Sequence, residues 1–519
     1  MQRFLKDKSS ILNILFYILI SVIILGGIYI RIRYYIFQSP LWLDEIMLAS
    51  SFTDRSLLDV FSPLDAYQKA PPMFSFLVLF IRKIFGINEL SLRFVPCLLG
   101  ISSVVAFLLL LKENVKNKFG IFTGLCMFAF CVPLVYFCGE FKPYGCDVFF
   151  CILLLLLYKY IDISRMSLKQ TVIYSVCTVF FVFVSIPTVF IIPAIVISKF
   201  LENKSIDKKV SIIFLAFLIA GLMLFIPDIQ NYLFLKEYWG HVEKGFTIFS
   251  SLDSLFLLIK DACIYYIYNF NVHYCIYICA FLLAGFLMLF RDKKNKAILI
   301  SLIFIFAVIA SVLNVYPLKP KLVLFMLPIF ILLLAKSFDI TNFIVNKTYS
   351  ILSGLLFIVC FVYFIGINIP YVNIPDNQIA FYNRTSKGRD KSLSERNSVK
   401  ESCIFLIDNS DSNNRVLASA EFLYSLRYYK AYLKSQKNIN IETYADIAQK
   451  RLSDKDIEII VTKFLDENLN SGNDIWFMGR DNEYYFQCPN YSELEKILNR
   501  YNLKYKSDRY RDLYLIHVL

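Results

Sequence analysis

Two adjacent acidic residues, Asp44 and Glu45, lie in apolar sequence, between residues 41–43 (Leu-Trp-Leu) and residues 46–49 (Ile-Met-Leu-Ala). Removing a carboxylate from water raises its pKa, and a carboxylate with a raised pKa is suited to act as a general base. The pair therefore predicts a base that accepts a proton from an incoming hydroxyl or amine. The alternative is an ordinary solvated pair in a loop.

Four basic residues lie in short segments that also contain proline, acidic or aromatic residues. They are Lys69 in residues 68–72 (Gln-Lys-Ala-Pro-Pro), Arg93 in 86–93 (Gly-Ile-Asn-Glu-Leu-Ser-Leu-Arg), Lys142 in 139–144 (Gly-Glu-Phe-Lys-Pro-Tyr) and Lys321 in 316–321 (Tyr-Pro-Leu-Lys-Pro-Lys). A leaving phosphate needs no general acid, but fixed cations must stabilise its charge as the bond breaks. These four residues are therefore candidate phosphate ligands.

Further site candidates lie in or near the outward-facing segments of the chain. They are Glu140, Tyr144, Asp147, Lys319 and His241. Two structural alternatives stay open for the charged residues among these candidates and among the four candidate phosphate ligands. Glu140 and Lys142 can pair with each other in a capped turn, and Arg93 and the lysines can extend their side chains toward lipid headgroups.

The cysteines and histidines do not have the spacing of a metal site or a disulfide framework. The chain has 13 Cys but no C-x-x-C, and its three histidines (His241, His273 and His517) are scattered. Most of the cysteines lie inside apolar stretches, where a small polarisable side chain packs well. The sequence therefore predicts neither a zinc site nor a metal cofactor.

Composition places the chain in a membrane. Of its 519 residues, 57% are hydrophobic and 18% are charged, against about 45–50% and about 25% in soluble domains. The net charge of +13 comes from bases in short loops between apolar runs, which is typical of membrane topology. We expect no nucleic-acid partner, because the chain contains no recognised nucleic-acid-binding module.

Eleven apolar runs predict about eleven transmembrane helices within residues 1–368. They cover approximately residues 11–30, 94–111, 119–137, 146–158, 171–185, 187–200, 210–226, 262–290, 297–313, 321–335 and 349–367. The first has enough residues to cross a hydrocarbon core of ~30 Å, and we expect it to stay uncleaved. The fourth run is short, and only Ser185-Ile186-Pro187 divides the fifth from the sixth. The alternative for these two runs is one bent hairpin kinked at the proline.

The orientation follows from the connections between these runs. Every second connection is basic, namely the N-terminal tail and residues 112–118, 159–169, 199–209, 291–296 and 336–347. The positive-inside rule assigns all six to the cytoplasm. The acidic pair and the four candidate phosphate ligands then face outward, most of them in a long loop over residues 31–93.

The character of the chain changes after the last apolar run. Residues 369–519 are polar, with strand-like runs at 403–407, 475–478 and 513–516. Helix-like stretches at 420–434 and 491–502 alternate with them. This pattern predicts one extracytoplasmic α/β domain.

The order and spacing of these segments resemble the GT-C class of membrane glycosyltransferases, in the branch of the protein O-mannosyltransferases and the lipid A aminoarabinose transferase. The resemblance covers about residues 1–340. It maps the family's proposed base onto Asp44, the arginine of its Leu-Arg element onto Arg93, and the basic residue before the tenth span onto Lys321. Two positions depart from the pattern: Lys69-Ala70 stands where the aminoarabinose branch has Glu-Lys, and Lys321 stands where arginine is common.

The resemblance implies a monosaccharide donor linked to a polyprenyl phosphate (undecaprenyl phosphate in a bacterium), inversion at the sugar carbon and no obligatory metal. The acceptor can be a lipid, a glycan or a protein. We expect an enzyme of the bacterial inner membrane whose active site and C-terminal domain face the periplasm. The alternatives are a transferase of another phospholipid-derived headgroup, and a lipid or sugar transporter or flippase. A transporter typically has inverted repeats and charges near the midplane, whereas here the charges gather at one face.

Overall fold

The computed structural model describes residues 2–37, 39–161, 166–203, 208–242, 272–319, 321–343, 393–410, 414–435, 437, 439–444, 453–471, 473–480, 488–510 and 513–519. Residues 2–343 form a unit of helices, called here the helical unit. Residues 393–519 form a sheet with helices, called here the C-terminal unit. The predicted boundary at 368/369 and the predicted eleventh span at 349–367 lie outside the described residues.

Most of the described helices of the helical unit overlap the predicted apolar runs, and three lie in segments that were predicted as outward loops. In chain order they are α1 (Gln2–Ile36), α2 (Leu43–Ser50), α3 (Pro72–Phe85), α4 (Glu89–Asn114), α5 (Lys118–Ala129), α6 (Val132–Tyr136), α7 (Tyr144–Leu157), α8 (Leu168–Val184), α9 (Thr188–Asn203), α10 (Lys208–Phe225), α11 (Ile229–Val242), α12 (Val272–Asp292), α13 (Lys294–Val312) and α14 (Leu327–Ser337). The helix is interrupted between the fifth and sixth runs, where α8 ends at Val184 and α9 begins at Thr188.

Length and apolar composition qualify four of the described helical segments to cross a membrane. They are Asn13–Ile36, Glu89–Asn114, Lys209–Glu237 and Lys294–Val312. The chain therefore has the architecture of a multi-pass helical membrane protein. The count of about eleven spans stays a prediction. Helix α3 was not predicted: it lies inside the loop expected at 31–93, and its 14 residues extend only ~21 Å.

The third predicted run, 119–137, is broken into α5 and α6. Pro133 has no N–H to donate, and its ring would clash with the carbonyl of Ala129 four residues earlier. The fully buried Arg31 of α1 supplies the missing donor, with its Nη1 2.7 Å from the carbonyl oxygen of Ala129. Its Nη2 lies 3.4 Å from the carbonyl oxygen of Phe128. An arginine of one helix thus caps the interrupted end of another.

Acidic residues draw the predicted cytoplasmic connections together at one end of the helical unit. Glu113 pairs with Lys159, Lys293 and Lys296, and Asp292 pairs with Lys116 and Lys336. These bases come from four different connections that the sequence assigned to the same side of the membrane. Their convergence is consistent with that assignment, and the side itself stays a prediction.

The C-terminal unit contains a mixed five-stranded sheet in the order β2-β1-β3-β5-β4. The strands are β1 (Asn414–Ala418), β2 (Ile439–Thr443), β3 (Asp474–Arg480), β4 (Tyr505–Tyr510) and β5 (Leu513–Val518). Strand β1 pairs in parallel with β2 and β3, and β5 pairs antiparallel with β3 and β4. The helices are α15 (Leu393–Asn409), α16 (Ala420–Tyr432), α17 (Asp454–Asn468) and α18 (Tyr491–Arg500).

One of the three predicted strands is wrong. Residues 475–478 and 513–516 are strands, and residues 420–434 and 491–502 correspond to helices, as predicted. Residues 403–407 instead belong to α15. Their buried positions are Cys403, Leu406 and Ile407, which is helical spacing, but the apolar residues between them hid that period.

The C-terminal unit packs on the segment at 31–93 of the helical unit, which the sequence predicts to face outward. Helix α16 contacts α2, the helix that contains the acidic pair. Lys400 of α15 forms an ion pair of 2.9 Å with Glu89 at the start of α4. Arg427 of α16 pairs with Asp65 at 2.9 Å and with Asp54 at 3.1 Å. The two units therefore meet where the candidate site lies.

Candidate active site

The acidic pair lies in the first turn of α2, so its two side chains point in different directions. Successive residues of a helix are about 100° apart around the axis. The backbone N–H of Trp42 donates to Oε2 of Glu45 at 3.2 Å, which fixes the start of the helix. Negative charge is favourable in a first helical turn, because the backbone N–H groups there are unpaired.

Glu45 points into the protein and is fully buried. Its carboxylate accepts two bonds from Arg93, at 2.9 Å from Nε and 2.8 Å from Nη2, and one of 2.6 Å from the N–H of Phe141. Burial opposes the charged form of Glu45, but the charge and hydrogen bonds of Arg93 outweigh burial and hold its pKa below the ordinary value. Glu45 thereby ties α2 to α4 and to the turn at 139–143.

Arg93 uses all three guanidinium nitrogens within the protein. Besides the two bonds to Glu45, its Nη1 donates to the carbonyl oxygen of Ser39 at 2.6 Å. Its side chain is only 3% exposed. A contact between Arg93 and a donor phosphate would require it to give up one of these acceptors, and that contact stays a prediction.

Asp44 points the other way, toward the segment before α14. Its Oδ2 lies 3.0 Å from Nζ of Lys321, although 277 residues separate the two in sequence. The side chains are 29% and 20% exposed, so both are reachable from outside. Nζ of Lys321 also lies 5.8 Å from the centre of the Trp42 ring. The predicted base and a predicted phosphate ligand are therefore direct neighbours.

Lys142 brings a second cation to the same place. It is buried, and its Nζ donates to Oε1 of Gln68 at 2.6 Å rather than to Glu140. Burial lowers the pKa of Lys142 from its ordinary value, and the nearby Asp44 opposes that shift. Tyr144, the first residue of α7, also lies within electrostatic range of Asp44 and Lys321. Lys321 is thus paired with the accessible Asp44, and the buried Lys142 lies within electrostatic range of it.

The helical unit and the C-terminal unit together form a fold that is known from solved structures. ArnT from Cupriavidus metallidurans bound to undecaprenyl phosphate superposes with a TM-score of 0.54 at 10% identity, over 97% of both chains. The apo form of the same protein gives 0.54 at 9% identity, over 98% of both chains. The chain has the ArnT fold. No protein-family model and no curated protein sequence matches it.

The ArnT fold confirms the predicted resemblance at the level of architecture. The motifs carried that resemblance over about residues 1–340, whereas the structural likeness covers 97% of the chain and so includes the C-terminal unit. At this identity the likeness concerns the fold, while the chemistry depends on the side chains described above.

Several predicted site residues lie apart from Asp44 within this fold. Lys69 forms an ion pair with Asp228, whose carbonyl oxygen also accepts from its Nζ at 3.0 Å. Burial lowers the pKa of Lys69 despite that partner. Asp147 is buried in α7 and accepts a bond of 2.6 Å from Oγ of Ser185. Lys69 and Asp147 thus have partners outside the group around Asp44.

The remaining candidates have varied surroundings. Glu140 is buried, and its Oε1 accepts a bond of 2.6 Å from the hydroxyl of Tyr136. Lys319 is half-buried, and burial lowers its pKa. His241 falls near the end of α11, where only the backbone is described. Glu140 therefore lies among the buried groups, while His241 is outside the described side chains.

Sequence reasoning missed three contributors to this region. Asp228, the partner of Lys69, and Tyr136, the partner of Glu140, have no motif of their own. Arg396 comes from the polar C-terminal unit and reaches Glu45. Across the described ranges, no group of three His, Cys, Asp or Glu could hold a metal ion, and independence from metal stays a prediction.

Proposed function

We propose that the chain is an integral membrane glycosyltransferase. It moves one pentose or hexose from a polyprenyl-phosphate donor to an acceptor at the outer face of the membrane. The observation that carries the proposal is the contact of Asp44 with Lys321, with Lys142 within electrostatic range, at one end of an ArnT-like helical unit. A related fold that binds undecaprenyl phosphate supports the choice of lipid carrier.

The residues divide the work of such a transfer between a base and two cations. Asp44 accepts the proton of the acceptor's hydroxyl or amine, whose lone pair forms the new bond to the anomeric carbon. The bond from that carbon to the phosphate oxygen breaks, and its electron pair leaves with the phosphate. Lys321 and Lys142 stabilise the charge on that oxygen. Attack opposite the leaving phosphate inverts the sugar carbon.

Glu45 and Arg93 hold in place the helical turn that contains the base. Their two short bonds hold the first turn of α2 to α4, which fixes the direction in which Asp44 points. A general base must stay within hydrogen-bond reach of the proton it accepts. The pair thus positions Asp44 for the reaction.

The proposal includes a location. The site faces the periplasm of a bacterial inner membrane, the acceptor is a lipid, a glycan or a protein, and no metal takes part. The positive-inside pattern and the convergence of the basic connections at the opposite end of the helical unit support this orientation.

Mass spectrometry of glycolipids and surface glycans in a deletion strain tests the function. We expect one product to lose the mass of a pentose or a hexose. Wild-type protein restores that mass and Asp44→Asn does not. Loss of a different mass would favour a transferase of another phospholipid-derived headgroup. A transporter would be favoured by a different result: an unmodified lipid or sugar accumulates on the inner side of the membrane in the deletion strain, and Asp44→Asn still relieves that accumulation.

A further inference from the structure

Arg396 reaches from the C-terminal unit into the region beneath Asp44. It lies in the first turn of α15, and its side chain is 1% exposed. Its guanidinium contacts two parts of the helical unit. Nη1 lies 3.4 Å from the carbonyl oxygen of Pro40, 3.5 Å from Oγ of Ser39 and 3.8 Å from Oε2 of Glu45, and Nη2 lies 3.3 Å from the hydroxyl of Tyr136.

These contacts connect two acidic segments that the sequence keeps apart. Residues 39–45 contain Glu45, and Tyr136 donates its hydroxyl to Glu140. Glu45 and Glu140 are both buried, as are Arg93 and Arg396. These two acidic and two basic side chains share one water-poor region, with the buried Lys142 in electrostatic range of both glutamates, and charge without a counterion is costly there. Arg396 is the contribution of the C-terminal unit to this balance.

The geometry of Arg396 is poor for stability alone. Its contacts of 3.3–3.5 Å are at the long end of the hydrogen-bond range, and its buried Nε has no acceptor among the described residues. Docking of the two units has better contacts elsewhere, such as the pair of 2.9 Å between Arg427 and Asp65. The contribution of Arg396 therefore lies in its buried positive charge beside Glu45 rather than in strong hydrogen bonds.

We propose that Arg396 is a positioning residue for the reaction at Asp44. Its charge holds the segment 39–45 and the Tyr136–Glu140 pair in register, so that Asp44 faces the donor and the acceptor. The C-terminal unit thereby completes the active site. This inference rests on the proposed function, since it assigns Arg396 to the same transfer.

The experiment compares Arg396→Met with the matched control Arg427→Met in the full-length protein. Arg427 lies at the same interface, but its side chain is 43% exposed, whereas that of Arg396 is 1% exposed. Membranes of the deletion strain supply the acceptor, and release of undecaprenyl phosphate is measured from undecaprenyl-phosphate-linked pentoses and hexoses. We expect kcat to fall ~10–100-fold in Arg396→Met with the donor KM unchanged, as for a small misplacement of a catalytic group. Arg427→Met keeps wild-type kinetics.

A second substitution separates charge balance from simple packing. Replacing Glu140 by Gln in the Arg396→Met background removes the uncompensated negative charge, so part of the lost kcat should return. Arg396→Lys, which keeps the charge, should also retain more activity than Arg396→Met. A void beneath the site would not respond to either change.

The outcomes separate this inference from the proposed function. Wild-type kcat in Arg396→Met, or an equal fall in Arg427→Met, overturns the positioning role. If Arg396→Met does not accumulate in the membrane, Arg396→Gln takes its place, and wild-type kcat there overturns the role as well. An active Asp44→Asn protein overturns the proposed function itself, whatever Arg396 does.

Discussion

Asp44→Asn and Glu45→Gln make the same chemical change at neighbouring positions, and the structure predicts opposite results. Asn keeps the shape of Asp44 but removes its capacity to accept a proton. Loss of a general base lowers turnover by ~10²–10⁴-fold, which corresponds to about 2.7–5.4 kcal/mol at 1.36 kcal/mol per factor of ten. The ion pair that is lost with it involves side chains 29% and 20% exposed. Such pairs stabilise a fold by about 0–1 kcal/mol.

In Glu45→Gln the larger effect should be on stability rather than on turnover. Glu45 is 0% exposed, and its charge is matched by the bidentate bonds from Arg93. Removing one partner of a buried ion pair costs about 3–5 kcal/mol, because the other charge is left uncompensated. We therefore expect a large loss of stability in Glu45→Gln and a smaller loss of turnover per folded molecule than in Asp44→Asn.

Two measurements on the same samples test the expected stability and turnover of both variants. Thermal unfolding in detergent reports stability, and transfer per folded molecule reports turnover. Asp44→Asn should unfold near the wild-type temperature with turnover lost, and Glu45→Gln should unfold well below it. An Asp44→Asn protein with a tenth or more of wild-type turnover would refute the base, and equal stability of the two variants would refute the burial argument.

Four further predictions follow from other contacts. Lys321→Ala and Lys142→Ala should each weaken binding of undecaprenyl phosphate, measured by titration with the lipid, because each removes a cation beside Asp44. Burial lowers the pKa of Lys142, so it loses its charge at lower pH than an ordinary lysine. Affinity for the lipid should therefore fall as pH rises, and Lys142→Arg should move that fall to higher pH. Arg31→Met should lower the unfolding temperature relative to the exposed control Arg33→Met, since it leaves two buried carbonyls unpaired at about 1–3 kcal/mol each. A reporter that is active only outside the cytoplasm should be active when fused at residue 60, 240 or 400 and silent at 115, 205 or 294; activity at 205 with silence at 400 would contradict the orientation.

Much of the architecture is determined by local composition. An apolar run of about twenty residues in a bilayer has to satisfy its backbone internally, so it forms a helix whatever lies around it. The strands at 475–478 and 513–516 were equally visible as short apolar runs. The acidic pair was recognisable as a site because carboxylates in apolar sequence are costly and seldom accidental.

The tertiary structure alone decided which partners each candidate residue meets and how deeply it is buried. Sequence spacing could not tell which carboxylate of the pair is buried, because that depends on the partner each one meets: Arg93 for Glu45 and Lys321 for Asp44. It also could not pair Lys69 with Asp228 or bring Arg396 to Glu45. Local patterns record the preference of a segment for a helix or a strand. The charge environment of a side chain is set by residues that are tens to hundreds of positions away, and only the packing of the helices brings them together.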